Sequence, residues 1–125
     1  MTTNSRILVL GIGNLLMGDE GIGVHAVHRL EREPLPKNVD LLDGGTGGFN
    51  LLESFGSYRK IIMIDATMDG QPAGTVKTLR PRFASDFPKA LSAHDIGLKD
   101  LVETAALLEH KPDITLITIS IQTLQ

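Results

Sequence analysis

Two adjacent carboxylates, Asp19 and Glu20, lie in the glycine-rich segment GNLLMGDEGIG, which spans residues 13–23. Glycine-rich turns between a strand and a helix commonly cradle a phosphate group at the N-terminus of the helix. The helix dipole would favour carboxylates at that position, but their negative charge would repel a phosphate. This segment is therefore expected to attract a cation instead.

Three more side chains that could act as ligands follow predicted strands or precede a predicted helix. Asp43 begins the stretch DGGTGG, Asp65 closes the apolar run IIMI, and His94 lies in SAHDIGL beside the start of a helix. Because ligands bind beyond the carboxyl ends of parallel strands, Glu20, Asp65 and His94 are expected to converge at one edge of the sheet. Two carboxylates and an imidazole suit nickel or zinc, whereas hard cations prefer oxygen ligands alone.

Apolar runs alternate with helical periodicity along the chain, which predicts a single α/β domain covering residues 1–125. The sheet is expected to be mostly parallel and twisted, with helices on both faces in a three-layer arrangement. The segment 74–81 alternates apolar with basic residues, so it is expected to form an exposed edge strand. The other predicted strands are Ile7–Leu10, Val39–Leu42, Ile61–Ile64 and Ile114–Ile121, and the predicted helices are 20–32, 49–55 and 98–108.

The acids near the first helix also have explanations that involve no cation. Asp19 could cap the helix, with Glu20 stabilising the helix dipole from the first turn. A dinucleotide site is a further alternative, in which Asp43 would bind a ribose. That alternative is disfavoured because Leu16 occupies the position of the third glycine and the turn is too long.

Composition excludes several functional classes. The formal net charge is −3, so neither nucleic acid nor an anionic membrane is an expected partner. The sequence contains no cysteine, which excludes thiolate catalysis by this chain and fits a cytoplasmic location. The apolar run near the N-terminus is too short for a signal peptide or a membrane span. His25 and His28 have a spacing that could hold a metal, but no acid motif joins them.

Four motifs in order, ILVLGIGNLLMGDEGIGV, LLDGGTGG, IIMIDA and SAHDIGL, resemble those of the nickel–iron hydrogenase maturation endopeptidases. The resemblance extends from about Arg6 to Leu108. It implies an endopeptidase that removes a C-terminal extension from a hydrogenase large-subunit precursor after nickel has been inserted. It also implies that Glu20, Asp65 and His94 bind nickel that the precursor supplies, with other divalent metals able to substitute in isolation.

Under this resemblance, the second glycine-rich stretch is expected to bind the substrate chain, because glycine lets backbone amides approach closely. Its residues are Asp43, Gly44, Gly45, Thr46, Gly47 and Gly48. Two alternatives stay open at this point. One is a non-catalytic chaperone or binding module for the metallated precursor, and the other is a nucleotide-binding domain.

The C-terminal segment departs from the family pattern. Family members continue after the last strand with a Gln-Pro-type turn and a further helix, whereas here Gln122 is followed by Thr123 and the sequence stops soon after. The expected consequence is a truncated domain in which part of one apolar sheet face is uncovered. Such a face would favour self-association.

Overall fold

The computed structural model describes residues 5–12, 21–45, 56–81, 107 and 112–122. These residues contribute five strands and one helix. The elements are β1 (Ile7–Ile12), α1 (Ile22–Leu30), β2 (Val39–Gly45), β3 (Lys60–Thr67), β4 (Val76–Leu79) and β5 (Asp113–Ser120). The helices predicted at 49–55 and 98–108 lie almost entirely outside the described residues. No helix in the described part of the chain is long and apolar enough to cross a bilayer.

The described strands form one sheet in the order β2-β1-β3-β5-β4. β1 pairs in parallel with β2 and β3, and β3 pairs in parallel with β5. β4 runs antiparallel to β5 at the end of the strand order. Its residue Val76 is 61% exposed, which a strand at the edge of a sheet tolerates. The predicted mostly parallel α/β sheet and its edge strand are both confirmed.

The strand order places a topological switch point between β1 and β3, and the region beyond their carboxyl ends is called the crevice below. From β1 the chain crosses to β2 on one side, and it then returns to β3 on the other side of β1. Open α/β sheets bind ligands at such a switch point, outside the carboxyl ends of the strands. Pairing between β1 and β3 ends where Gly11 stands opposite Ile64, so the crevice begins there.

Apolar side chains are buried on both faces of the sheet. On the face that α1 covers, Val27 packs against Val9 and Ile64. On the opposite face, Leu10 and Met63 are fully buried. Burial on both faces is characteristic of central parallel strands, and it explains why their sequences are apolar runs rather than alternating patterns.

Three strands continue farther than their apolar runs indicated. β1 continues beyond Gly11, β2 beyond Asp43, and β3 beyond Asp65. The prediction that these residues end their strands was therefore wrong. Their backbone groups still pair with neighbouring strands, and this pairing does not require an apolar side chain. In addition, α1 is shorter at both ends than the predicted helix, and β5 begins and ends one residue earlier than predicted.

A polar cluster joins the strands at their amino ends, away from the crevice. The hydroxyl of Tyr58 donates a hydrogen bond of 2.8 Å to Asp40, and the guanidinium group of Arg6 contacts the same carboxylate. Arg6 also lies 5.4 Å from the centre of the Tyr58 ring. The hydrogen bond from Tyr58, together with the charge of Arg6, holds the pKa of Asp40 below its ordinary value. The carboxylate therefore contributes stability above its unfolded-state pKa, and the contribution is lost as pH falls through the folded-state pKa.

Replacing Tyr58 with phenylalanine is expected to raise the pKa of Asp40 towards its ordinary value. The substitution removes the hydrogen bond that contributes most to the lowered pKa, while the ring and its contact with Arg6 are kept. An NMR titration of the Asp40 carboxyl carbon in the variant and the wild type measures the change. An identical titration in the two proteins would contradict this assignment.

Candidate functional site

Asp65 lies at the crevice, one residue beyond the last pair that β3 makes with β1. Its side chain is fully buried, and its Oδ1 accepts a hydrogen bond of 2.8 Å from the backbone N–H of Ala66. On its other side β3 still pairs with β5, where Asp65 stands opposite Thr118. Burying a carboxylate is unfavourable, so its presence at a ligand-binding position of the fold marks it as a candidate functional residue.

The first turn of α1 lies against the backbone beside Asp65. A Cβ atom at Gly23 would come well within 3.0 Å of the carbonyl oxygen of Ile64, the residue before Asp65, and of a carbonyl oxygen of β1. Only a residue without a side chain allows the helix to pack this closely. The N-terminus of α1 is thereby held at the crevice, and Glu20 directly precedes its N-cap residue, Gly21.

The helix start rules out the capping explanation for the two adjacent acids. The N-cap is Gly21, no side chain in the described part of the chain caps the helix, and its first turn contains no acidic residue. The interpretation of Asp19 as the N-cap and of Glu20 as a first-turn residue was therefore wrong, because α1 begins at Ile22.

Asp43 lies within β2 and contacts α1. Its Oδ2 is 3.1 Å from Nε2 of His28, and the two side chains are 40% and 44% exposed. The contact brings an acid to one of the two histidines on α1, because pairing of β2 with β1 places Asp43 beside the helix. A pair this exposed contributes little stability. Immediately beyond it, the register with β1 shifts so that Gly44 is an extra, bulged residue. Such bulges are common beside active sites.

The convergence of Glu20 and His94 on Asp65 stays a prediction, because the remaining predicted site residues lie outside the described part of the chain. These residues are Glu20, Thr46, Gly47, Gly48 and His94, and the neighbouring Asp19 lies outside the described part as well. Among the residues that are described, no three His, Asp or Glu side chains lie together as a metal site would require. A metal bound at Asp65 would therefore need ligands from other segments of the chain or from a substrate.

A comparison with protein families identifies the chain. The family model described as hydrogenase maturation protease matches residues 24–125. The chain belongs to this family. The resemblance based on the four sequence motifs is thus confirmed.

Curated relatives of this chain agree with this assignment. The hydrogenase expression/formation protein HupD of Rhodobacter capsulatus is 44% identical over 116 residues, which are 90% of this chain and 55% of HupD. The hydrogenase 2 maturation protease of Escherichia coli (strain K12) is 43% identical over 100 residues, which are 78% of this chain and 61% of that protein. This chain spans about half the length of the curated relatives it matches.

Solved structures of the same family share the fold. The hydrogenase maturating endopeptidase HybD from E. coli superposes with a TM-score of 0.83 at 36% sequence identity. The superposition covers 96% of this chain and 76% of HybD. The hydrogenase 2 maturation peptidase from Thaumarchaeota archaeon SCGC_AB-539-E09 superposes with a TM-score of 0.71 at 30% identity, covering 97% of this chain and 82% of that one. The similarity therefore extends over nearly the whole chain.

A group of buried polar side chains beside Asp65 in this maturation protease family member was not predicted from the sequence. Thr67, Thr118 and Ser120 are each 1% exposed, at the carboxyl ends of β3 and β5. The signal was present in the sequence, where the apolar runs end in polar residues at every second position. Because alternate residues of a strand share one face, that spacing places these side chains on the same face as Asp65.

Asp69 organises the turn that follows β3 in this family member. Its Oδ1 accepts hydrogen bonds from the backbone N–H of Gln71 at 3.1 Å and from the hydroxyl of Ser120 at 2.9 Å. Its Oδ2 lies 3.4 Å from Nζ of Lys77. The backbone hydrogen bond from Gln71, with the Ser120 and Lys77 contacts, lowers the pKa of Asp69. These contacts join β3, β4 and β5, so the role of Asp69 is structural.

Proposed function

We propose that this chain is an endopeptidase that removes the C-terminal extension of a nickel–iron hydrogenase large-subunit precursor after nickel has been inserted. The observation that carries the proposal is the position of Asp65, a fully buried carboxylate at the crevice between β1 and β3. A carboxylate at this depth does not favour folding by itself, which supports a role in binding a ligand. Membership of the hydrogenase maturation protease family supports the reaction class.

In this proposal the nickel ion is part of the substrate, and Glu20, Asp65 and His94 bind it. The three donors suit the metal, because nickel accepts both imidazole and carboxylate ligands. β3 and the N–H group of Ala66 hold the carboxylate of Asp65 in one position. Nickel bound there would polarise the scissile carbonyl group. Recognition of the ion would restrict cleavage to precursors that have already received their metal.

The end of β2 is proposed to bind the polypeptide around the cleavage site. β2 is an edge strand of the described sheet, and Gly44 and Gly45 follow Asp43 at its end. The edge of a sheet offers backbone hydrogen-bonding groups to an extended peptide, and glycine lets the peptide approach closely. The contact between His28 and Asp43 attaches the start of this stretch to α1.

A cleavage assay with purified large-subunit precursor tests the proposal. We expect intact-mass analysis to show loss of the C-terminal extension when nickel-loaded precursor is incubated with this chain, and no loss from nickel-free precursor. Stable binding without a change in mass would favour a binding module instead. A micromolar dissociation constant for NAD or ATP would favour the nucleotide-binding alternative. We place the reaction in the cytoplasm, in keeping with a sequence that contains no cysteine.

Glu20→Gln and His94→Gln are each expected to reduce cleavage by about a hundredfold or more, since each removes one proposed ligand. Glu33→Gln and His25→Gln serve as matched controls, because both residues are exposed and neither is assigned to the site. Cleavage rates from the same mass assay and melting temperatures are compared between the site variants and the control variants. Full cleavage by either site variant would remove that residue from the proposed ligand set.

A further inference from the structure

On the sheet face that carries Asp65, the amino halves of β3 and β5 are apolar and their carboxyl halves are polar. In the amino half, this face is occupied by buried apolar side chains, which are Ile61, Met63, Ile114 and Leu116. In the carboxyl half, it is occupied by Asp65, Thr67, Thr118 and Ser120, which are also buried. Polar side chains in a sheet interior need hydrogen-bond partners, so each hydroxyl group here requires an explanation.

The buried hydroxyl groups differ in whether they have a partner. Ser120 donates to Asp69, as described above. The hydroxyl oxygens of Thr67 and Thr115, by contrast, are buried without a hydrogen-bond partner in the described part of the chain. Leaving a buried hydroxyl unpaired is unfavourable, and such groups in native proteins commonly serve a ligand or a water molecule.

These two unpaired hydroxyl groups lie in different places. Thr115 is in the amino half of β5, opposite Ile62, which packs on the face that α1 covers. Thr67 is the last residue of β3, two positions after Asp65 and on the same face. Thr67 therefore lies farther towards the carboxyl edge of the sheet than Asp65, at the edge where ligands of this fold bind. Thr115, the third residue of β5, lies away from that edge.

We propose that Thr67 is a substrate-binding residue of the Asp65 site, whose hydroxyl group forms a hydrogen bond with a peptide group of the bound substrate chain. The inference rests on the proposed function and adds a residue to its site. Side chains two residues apart on one strand are about 6.6 Å apart, which is also the length of two residues of an extended peptide. A substrate chain that reaches Asp65 with one group can therefore reach Thr67 with a neighbouring group.

The test compares Thr67→Val with Thr115→Val in the full chain. Each substitution replaces one buried, unpaired hydroxyl group with a methyl group of similar size. Both variants are expected to melt at or above the wild-type temperature, because an unsatisfied polar group is removed from the interior. In the nickel-loaded precursor assay, only Thr67→Val is expected to lose activity. The loss should be about fivefold in kcat/KM, mainly through KM, as for one neutral hydrogen bond to substrate.

Thr67→Ser provides the rescue, because it keeps the hydroxyl group and is expected to restore most of kcat/KM. Wild-type rates for Thr67→Val, or equal losses in both valine variants, would overturn the inference while the proposed function stands. A wild-type chain that does not cleave the precursor would overturn the proposed function, and this inference with it.

Discussion

Asp65→Asn is expected to abolish precursor cleavage, with a loss of at least about a hundredfold, while the fold stays intact. Asparagine has almost the same shape, and its Oδ1 can still accept the hydrogen bond that Asp65 receives from the N–H of Ala66. What it lacks is the negative charge that a bound cation requires. Because the size of the side chain and this hydrogen bond are kept, the melting temperature is expected to change little.

Asp113→Asn is the matched control for this prediction. Asp113 is an exposed aspartate in the same sheet, but it lies at the first residue of β5, at the amino end of the strand. Its replacement should leave cleavage and melting temperature unchanged. If Asp65→Asn unfolded the protein, Asp65 would have a structural role, and if it cleaved normally, Asp65 would not be a ligand.

Gly23→Ala is expected to destabilise the protein by about 3 kcal/mol, although the same change usually stabilises a helix by about 1 kcal/mol. The added Cβ atom would overlap with the carbonyl oxygens of Ile64 and Ile12. Both oxygens belong to the backbone of paired central strands, so they cannot move without disturbing the sheet. α1 must move instead, and the contact of Val27 with Val9 would be lost with it.

Thermal unfolding measures this effect, and a fall in melting temperature of roughly 10 °C or more is expected. Gly56→Ala is the control, because a Cβ atom there would meet nothing within 4 Å. Its melting temperature should match that of the wild type. If Gly23→Ala melted at or above the wild-type temperature, α1 would not lie this close to the crevice. The fraction of Gly23→Ala protein that remains folded is also expected to cleave the precursor slowly, because a displaced α1 would displace the adjoining Glu20.

The segments that form the described strands were predictable from local patterns. Runs such as IIMI are too short for a helix and apolar at every position, which indicates a strand that is buried on both faces. The alternation of Val76 and Leu79 with basic residues indicated an edge strand, and β4 lies there. The ends of the strands were less predictable. β1, β2 and β3 continue through Gly11, Asp43 and Asp65, because their backbones still pair with neighbours at those positions.

The candidate site was predictable to a smaller extent. Asp65 was identified because an acid directly after a buried run is unusual and falls near the carboxyl edge of a parallel sheet. Thr67 was not singled out, since a threonine in a strand is ordinary. That its hydroxyl group has no hydrogen-bond partner among the described residues is visible only in three dimensions. The contact between His28 and Asp43 was missed for a similar reason. It joins a helix and a strand, and it depends on how the two elements pack.

The sequence by itself determined which segments are strands, that most of them are parallel, and that an acid lies near the binding edge. These properties follow from side-chain hydrophobicity, which a linear pattern records directly. Only the tertiary structure decided that β1 and β3 are neighbours with a crevice between them, and that α1 approaches Asp65 through Gly23. Those features depend on pairing and close packing between residues far apart in the chain. No local pattern encodes the resulting distances, since they arise only when the whole sheet is assembled.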